Sequence, residues 1–364
     1  METRRYYNID ALRFLFSLAI VYYHILHSNI MEFVPENSVY PVLQGLSDNA
    51  GLIVECFFVL SGYFLFLTAR REEEGFLGFM LKRICRLGPV LWFSLLVSMV
   101  FFHQKLIPAV YNALFLQCVG ISSEYRGINW YISPLFWAGL FYFALLKNME
   151  RKRANILIAV VTYFSYVANI SALNGGFGRE TVFGVINPGL ARALAGMGLG
   201  YLLGVCLESL RHVRWRAGAA VCRLGPHAAF VLFTAVELLG GAFLTKFFLL
   251  GGQYQNKFIV VIVFAGLLVS FLKKGGAISR LLDRRVFSLL GRYAYSIYVL
   301  QQISFYLLQR TLWKTELVSH PGACILISLA CAAAAGVAAY HLIERPCMKL
   351  YHQLKIEKDC ETIP

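Results

Sequence analysis

The sequence is divided into apolar runs of about twenty residues, separated by short segments that carry most of its charged residues. A helix of about twenty residues is about 30 Å long, which matches the hydrocarbon core of a bilayer. Hydrophobic residues make up 58% of the 364 positions and the mean hydropathy is +0.61, values that exclude an ordinary soluble domain. We therefore expect an all-α, polytopic membrane protein of about ten transmembrane helices, at residues 11–30, 50–68, 87–104, 130–146, 154–171, 189–207, 226–249, 256–272, 287–308 and 321–343.

Basic residues are concentrated in alternate loops. They cluster at 4–5, 70–86, 147–153, 211–223, 273–292 and 345–358, and the intervening loops hold few. By the positive-inside rule, we expect both termini to be cytoplasmic. The net charge of +14 then lies on one membrane face, where it suits anionic lipid or a phosphorylated cofactor better than nucleic acid. Residues 1–346 form the predicted membrane domain, whose last apolar run is expected to end at Pro346, and 347–364 form a short cytoplasmic tail.

Two ionisable residues lie inside the first apolar run, DALRFLFSLAIVYYH. Arg13 and His24 are eleven residues apart, so on a helix they share one face to within about 20° and differ in depth by about 16 Å. An ionisable group inside a membrane helix marks a functional site by default. The alternative is that Arg13 extends to the headgroups and His24 bonds a neighbouring helix.

The second run, GLIVECFFVLSGYFLFL, carries a carboxylate at a depth similar to that of His24. If the helices are antiparallel neighbours, Glu55 is expected to meet His24, where it would fix the imidazole tautomer and raise its basicity; a purely structural polar pair is the alternative. Ser61 and Gly62 suit either close helix packing or space beside a bound cofactor.

A basic segment precedes the third run. Residues 77–86 read as an interfacial helix ahead of Pro89, and Arg83 and Arg86, three residues apart, are placed to bind phosphate. Basic residues are also expected at any cytoplasmic helix end, so anchoring remains the alternative. The nine cysteines include no paired CxxC motif, and the sequence predicts no metal site.

Two later runs add buried polar groups. Arg192 lies among small residues in GLARALAGMGLGYLLG, close enough to the predicted interface to reach water. The run FSLLGRYAYSIYVLQQ carries several tyrosines and ends in Gln301 and Gln302. Buried hydroxyls and amides need partners or a wet cavity, and more often serve structure than catalysis.

Several of these stretches together resemble the acyltransferase 3 family of multi-pass bacterial membrane proteins that O-acylate surface glycans. The stretches are the Arg13–His24 spacing, VECFFVLSGYF, RICRLGPVLW, RYAYSIYVL and the closing IERP. The resemblance implies that His24 is catalytic with Arg13 as its companion, that Glu55 is a supporting acid, and that Arg83 and Arg86 contact an acyl-CoA donor.

The chain departs from the family pattern at two places. Gln301 stands where members often have a histidine, and Ser133 and Pro134 follow Trp130 where many members place a glutamate. A second acid or base is therefore not assigned.

The resemblance implies transfer of an acetyl or related acyl group from acyl-CoA to a hydroxyl of an envelope glycan or a lipid-linked sugar, in the bacterial cytoplasmic (inner) membrane. His24 would act as general base or form an acyl-histidine. A proton-coupled transporter, with His24 and Glu55 as proton carriers, is the alternative, although the chain shows no internal repeat. A non-catalytic membrane partner is a third interpretation. Acceptor identity and oligomeric state stay open.

Overall fold

A computed structural model describes residues 6–26, 50–70, 75–103, 105–119, 128–172, 187–216, 225–250, 257–311 and 320–361. Within these ranges the regular elements are helices, which confirms the all-α prediction. They are α1 (Tyr7–Leu26), α2 (Ile53–Ala69), α3 (Phe76–Phe102), α4 (Leu106–Ala113), α5 (Ile132–Asn148), α6 (Arg151–Ala172), α7 (Pro188–Arg216), α8 (Pro226–Leu250), α9 (Phe258–Lys273), α10 (Ala277–Leu281), α11 (Arg285–Arg310), α12 (Pro321–Ala339) and α13 (Arg345–Glu361).

Each of the ten predicted runs overlaps one apolar helix, with residues 27–30, 104 and 256 outside the described ranges. Among the described residues, six helical segments are long and apolar enough to cross a membrane, and the apolar helices α2 and α9 are shorter. The protein is therefore a multi-pass membrane protein, since several apolar helices of this length cannot be buried in one soluble core. The count of ten crossings and the orientation of the termini stay predictions.

Two helix boundaries differ from those predicted. Residues 77–86 are not a separate interfacial helix but the first part of the 27-residue helix α3, which continues through Pro89. Pro346 does not end the last apolar run either, because a π-helical turn at Tyr340–Glu344 joins α12 to α13. Proline lacks a backbone donor and crowds the preceding turn, and a π-turn is one way for a helix to continue past it. The predicted tail at 347–364 is thus helical as far as Glu361.

The closest helix contact is between α2 and α7 and depends on glycine. A β-carbon at Gly62 would overlap the Met197 carbonyl oxygen, and one at Gly200 would overlap the Val59 carbonyl oxygen. Small residues let two helix backbones meet at this distance, and dispersion then holds them together in a membrane. Helices α1 and α12 both pack against α11 in the same bundle, and they also contact each other.

The loop between α9 and α11 is held by a buried carboxylate. Glu237 of α8 is 1% exposed and accepts hydrogen bonds from the Ser270 hydroxyl (2.6 Å) and the backbone N–H of Ile278 (2.7 Å). The Asn8 amide donates to the Phe271 carbonyl oxygen (2.7 Å), so the start of α1 is anchored to the same loop. These contacts fix the end of α1 that carries Arg13.

Candidate active site

Three cavities lie along helix α1. The arginine cavity is lined by Arg13 and has a volume of about 230 Å³. The C-terminal cavity is also lined by Arg13, has a volume of about 740 Å³ and is walled by α13. The histidine cavity is lined by His24 and has a volume of about 130 Å³. The helix therefore places its two ionisable residues in different cavities, as their separation of about 16 Å requires.

The arginine cavity is strongly cationic. Its lining includes the side chains of Arg13, Lys82, Arg83, Arg86 and Arg292, and no carboxylate of the described residues lines it. Clustering like charges costs energy unless an anion occupies the space between them. The cavity is therefore suited to a ligand with more than one negative charge.

Arg83 and Arg86 both line this cavity but have different environments. The Arg83 guanidinium donates to the Leu135 carbonyl oxygen (3.0 Å) and lies against Gly139, where a β-carbon would be 2.7 Å from its Cζ. Arg86 is exposed and lines the C-terminal cavity as well. Arg83 is thus fixed by α5, and Arg86 stands at the junction of two cavities with its guanidinium open to a ligand.

Arg13 is held from two sides. It forms an ion pair with Asp10 (3.7 Å), and its Cζ lies 4.4 Å from the centre of the Phe64 ring. An arginine over an aromatic face gains about 0.5–2 kcal/mol. Ser61, one of the two predicted cofactor-binding residues of α2, lines the same cavity.

Gly62, the other predicted cofactor-binding residue of α2, is placed elsewhere. It is buried against Met197 of α7 and does not line any of the three cavities described above. The structure therefore assigns Gly62 to helix packing, because a residue facing α7 cannot also face the arginine cavity.

The histidine cavity combines two cations with three aromatic rings. His24 shares it with Tyr23, Trp130, Arg192, Lys257 and Tyr298. A small pocket with aromatic walls and a few convergent polar groups is typical of binding sites for small ligands. His24 is half-buried, so its imidazole is accessible to a group inside the cavity.

The expected contact between Glu55 and His24 is not formed. Glu55 Oε1 instead accepts from Arg192 Nε (2.6 Å) and lies 2.5 Å from a terminal nitrogen of the same guanidinium. The Glu55 side chain is fully buried and that of Arg192 is 7% exposed, and the Arg192 Cζ lies 4.7 Å from the centre of the Trp130 ring. Helix α2 packs along α7, which brings Glu55 to Arg192 rather than to α1.

Arg192 is the residue whose role sequence reasoning missed. It was recognised only as a second buried charge near the interface, but it links Glu55 to the histidine cavity. The signal was present, since a buried arginine and a buried glutamate in two apolar runs are each other's natural partner. Glu55 Oε2 has no hydrogen-bond partner among the described residues.

A pair of tyrosines lies between the arginine and histidine cavities. Tyr298 lines both, and its ring meets that of Tyr131 edge to face at 4.5 Å. The Tyr295 hydroxyl, one turn from Tyr298, donates to the Leu87 carbonyl oxygen, which ties α11 to α3. Tyr298 therefore lies where a ligand would pass from one cavity to the next, and Tyr295 lines the arginine cavity beside it.

Gln301 is fully buried on α11. Neither its amide nitrogen nor its oxygen has a hydrogen-bond partner within the described part of the chain. An unsatisfied buried amide costs about 1–3 kcal/mol, so this side chain is a candidate for a polar contact made only when a ligand is bound. Within the same ranges no three His, Cys, Asp or Glu side chains form a cluster that could hold a metal.

Comparison with known proteins identifies one family. The model of the family described as "Acyltransferase domain" matches residues 6–339, which cover α1 to α12. No curated protein and no solved structure matches the chain.

Proposed function

Since the chain belongs to the acyltransferase 3 family, we propose that it is an acyl-CoA-dependent O-acetyltransferase of the bacterial cytoplasmic membrane. The proposed acceptor is a hydroxyl of an envelope glycan or of a lipid-linked sugar. Family membership supports acyl transfer by a membrane protein. Family membership does not specify the acyl donor, the acceptor or the role of His24, which we propose from the cavities described above.

The observation that carries the proposal is the order of the cavities along α1. The cationic arginine cavity and the histidine cavity are separated along α1 and share Tyr298. Coenzyme A has its phosphates at one end and its thioester at the other, joined by an arm of about a dozen bonds, on the order of 15 Å long. A donor with its phosphates at Arg86 and Arg13 would therefore present its thioester near His24.

The size of the histidine cavity favours a short acyl group. At about 130 Å³ it is slightly smaller than an engineered cavity of about 150 Å³ that binds benzene. An acetyl thioester and one hydroxymethyl group of a sugar fit in such a volume. A long acyl chain would need a further apolar tunnel.

In the proposed reaction His24 acts as general base. It accepts the proton of the acceptor hydroxyl as that oxygen bonds to the thioester carbonyl carbon. The carbon–sulfur bond then breaks, and the departing thiolate takes the proton from the imidazolium, which gives an ester and coenzyme A. Arg192, held by Glu55, is close enough to line the same cavity and supplies positive charge where the carbonyl oxygen becomes negative.

The aromatic rings of the histidine cavity support a sugar as acceptor. Tyr23, Trp130 and Tyr298 offer flat apolar faces, and the charged groups between them suit hydroxyls. Apolar contact with these rings would hold the hydroxymethyl group of a sugar, and polar contacts would select its hydroxyl. A free hydroxyl beside His24 is the only acceptor group that the mechanism needs.

The proposal is tested by following label from [acetyl-¹⁴C]acetyl-CoA into alkali-labile esters of membrane glycan and lipid-linked sugar. His24→Ala should lower transfer by about 10²–10⁴-fold, the usual contribution of a general base. His227→Ala removes an exposed imidazole and should leave transfer unchanged. Transfer at the wild-type rate by a folded His24→Ala protein would refute the role of His24. If the protein were a proton-coupled transporter, neither the wild type nor the variants would transfer an acetyl group.

A further inference from the structure

The C-terminal helix α13 lies beyond the family match, which ends at residue 339, and yet it walls the largest of the three cavities. Arg345, Met348, Lys349 and His352 of this helix line the C-terminal cavity. Spacings of three and four residues place side chains on one face of a helix, so these residues form a single stripe directed at the cavity. Helix α13 is therefore part of a site and is more than a tail.

Helix α13 is held firmly in this position. The Tyr351 side chain is buried at 9% exposure, and its hydroxyl donates to the Gly78 carbonyl oxygen at the start of α3 (3.1 Å). The π-turn that leads into α13 is fixed by Glu344, whose Oε2 accepts from the Ser296 hydroxyl of α11 (2.6 Å). The helix thus contacts α3, which carries Arg86, and the turn that leads into it contacts α11, which carries Arg292.

The C-terminal cavity has an excess of positive charge. Five cationic side chains line it: Arg13, Arg86, Arg292, Arg345 and Lys349. Among the described residues, only two carboxylates, Asp10 and Glu344, line it as well. Arg345 and Lys349 are exposed, and neither forms an ion pair with a described residue. These two cations are therefore available to an anion in the cavity.

The order of the cavities indicates which anionic group of the donor would lie beside α13. Arg13, Arg86 and Arg292 line both the arginine and the C-terminal cavity, so they mark the junction, whereas Arg345 and Lys349 line only the C-terminal cavity. In coenzyme A the diphosphate adjoins the arm that leads to the thioester, and the 3′-phosphate lies at the opposite end. With the arm in the arginine cavity, the diphosphate falls at the junction and the 3′-phosphate falls beside α13.

Resting on the function proposed above, we infer that Arg345 and Lys349 bind the 3′-phosphate of the acyl-CoA donor, and that α13 thereby selects CoA thioesters over donors that lack this group. A phosphate monoester carries about −1.5 to −2 charge at neutral pH and matches two cations four residues apart. Donors built on phosphopantetheine alone would not reach α13.

The test compares binding of acetyl-CoA and acetyl-3′-dephospho-CoA to the full-length protein in nanodiscs of zwitterionic lipid. The variant is Arg345→Gln/Lys349→Gln, and the matched control is Lys152→Gln/Arg153→Gln, which removes the same charges at exposed positions of α6. Wild type and control should prefer acetyl-CoA by about tenfold or more, the effect of losing charge-assisted hydrogen bonds. In the variant this preference should fall to about twofold or less.

Two outcomes would overturn the inference. One is equal binding of both donors by the wild type, and the other is a preference that survives in the variant. If α13 instead binds the phosphate of an anionic lipid, the variant would keep the wild-type preference between the two donors in zwitterionic nanodiscs, which is the second of these outcomes. Failure of the wild type to bind either donor would refute the proposed function itself, so the two failures are distinguishable.

Discussion

The buried ion pair between Glu55 and Arg192 permits a quantitative prediction. Both partners are almost completely buried and meet at 2.5–2.6 Å. Removing one partner of such a pair leaves an uncompensated charge and costs about 3–5 kcal/mol, whereas replacing both by apolar residues is often neutral. We expect Glu55→Leu and Arg192→Met each to lower the free energy of unfolding by about 3–5 kcal/mol, and the double variant by less than about 2 kcal/mol.

The assay is a double-mutant cycle in detergent, with unfolding followed by tryptophan fluorescence during titration with a denaturing detergent. The predicted coupling is at least about 4 kcal/mol, because two single losses of about 3 kcal/mol or more are replaced by one loss of less than about 2 kcal/mol. The exposed pair Glu150 and Arg153, at 3.4 Å, is the control, and its cycle should give less than about 1 kcal/mol. Additive effects of the two buried substitutions would refute the reasoning.

The remaining predictions concern buried positions without charge. Gly62→Ala should destabilise the protein by about 1–3 kcal/mol, because its β-carbon would overlap the Met197 backbone, while Gly241→Ala, with open space around it, should be neutral or stabilising in thermal unfolding. The Gln301 amide lacks a partner among the described residues, so Gln301→Met should leave the free energy of unfolding unchanged or higher but slow acyl transfer. The Gln302 amide makes a hydrogen bond, so Gln302→Met should lower the free energy of unfolding by about 0.5–1.5 kcal/mol. These assignments would be contradicted if Gly241→Ala were less stable than Gly62→Ala, if Gln301→Met were less stable than Gln302→Met, or if Gln301→Met left acyl transfer unchanged.

The helices were predictable because membrane burial imposes one simple pattern. Ten apolar runs overlap ten helices, and Arg13 and His24 lie on one helix, as their spacing predicts, where they line different cavities. What was missed involves contacts across helices. Nothing in the run GLIVECFFVLSGYFLFL states that its partner is α7, so Glu55 was assigned to His24 when its actual partner is Arg192.

Glycine and proline are ambiguous in the sequence. Gly62 suits either close helix packing or space beside a cofactor, and its contact with α7 agrees with the first of these. Pro89 and Pro346 were read as helix boundaries, yet α3 continues through one, and a π-turn carries the chain past the other. Sequence alone gives the local preference against proline but not the neighbouring contacts that offset its cost.

The role of α13 was out of reach for a different reason. Its mean composition is polar and the positive-inside rule already accounts for its lysines and arginines. The packing of α13 against α3 and the positions of Arg345 and Lys349 in the wall of the C-terminal cavity are features of the folded chain alone.

The central claim is that the cationic cavity beside Arg13 binds an acyl-CoA donor. The most direct test is a calorimetric titration of the purified protein in nanodiscs with acetyl-CoA, comparing the wild type with Arg86→Gln and with Arg153→Gln, which removes an exposed arginine outside the cavity. We expect the wild type and Arg153→Gln to bind acetyl-CoA saturably with similar affinity, and Arg86→Gln to bind it about tenfold more weakly. Absence of binding at millimolar acetyl-CoA, or equal weakening in both variants, would contradict it.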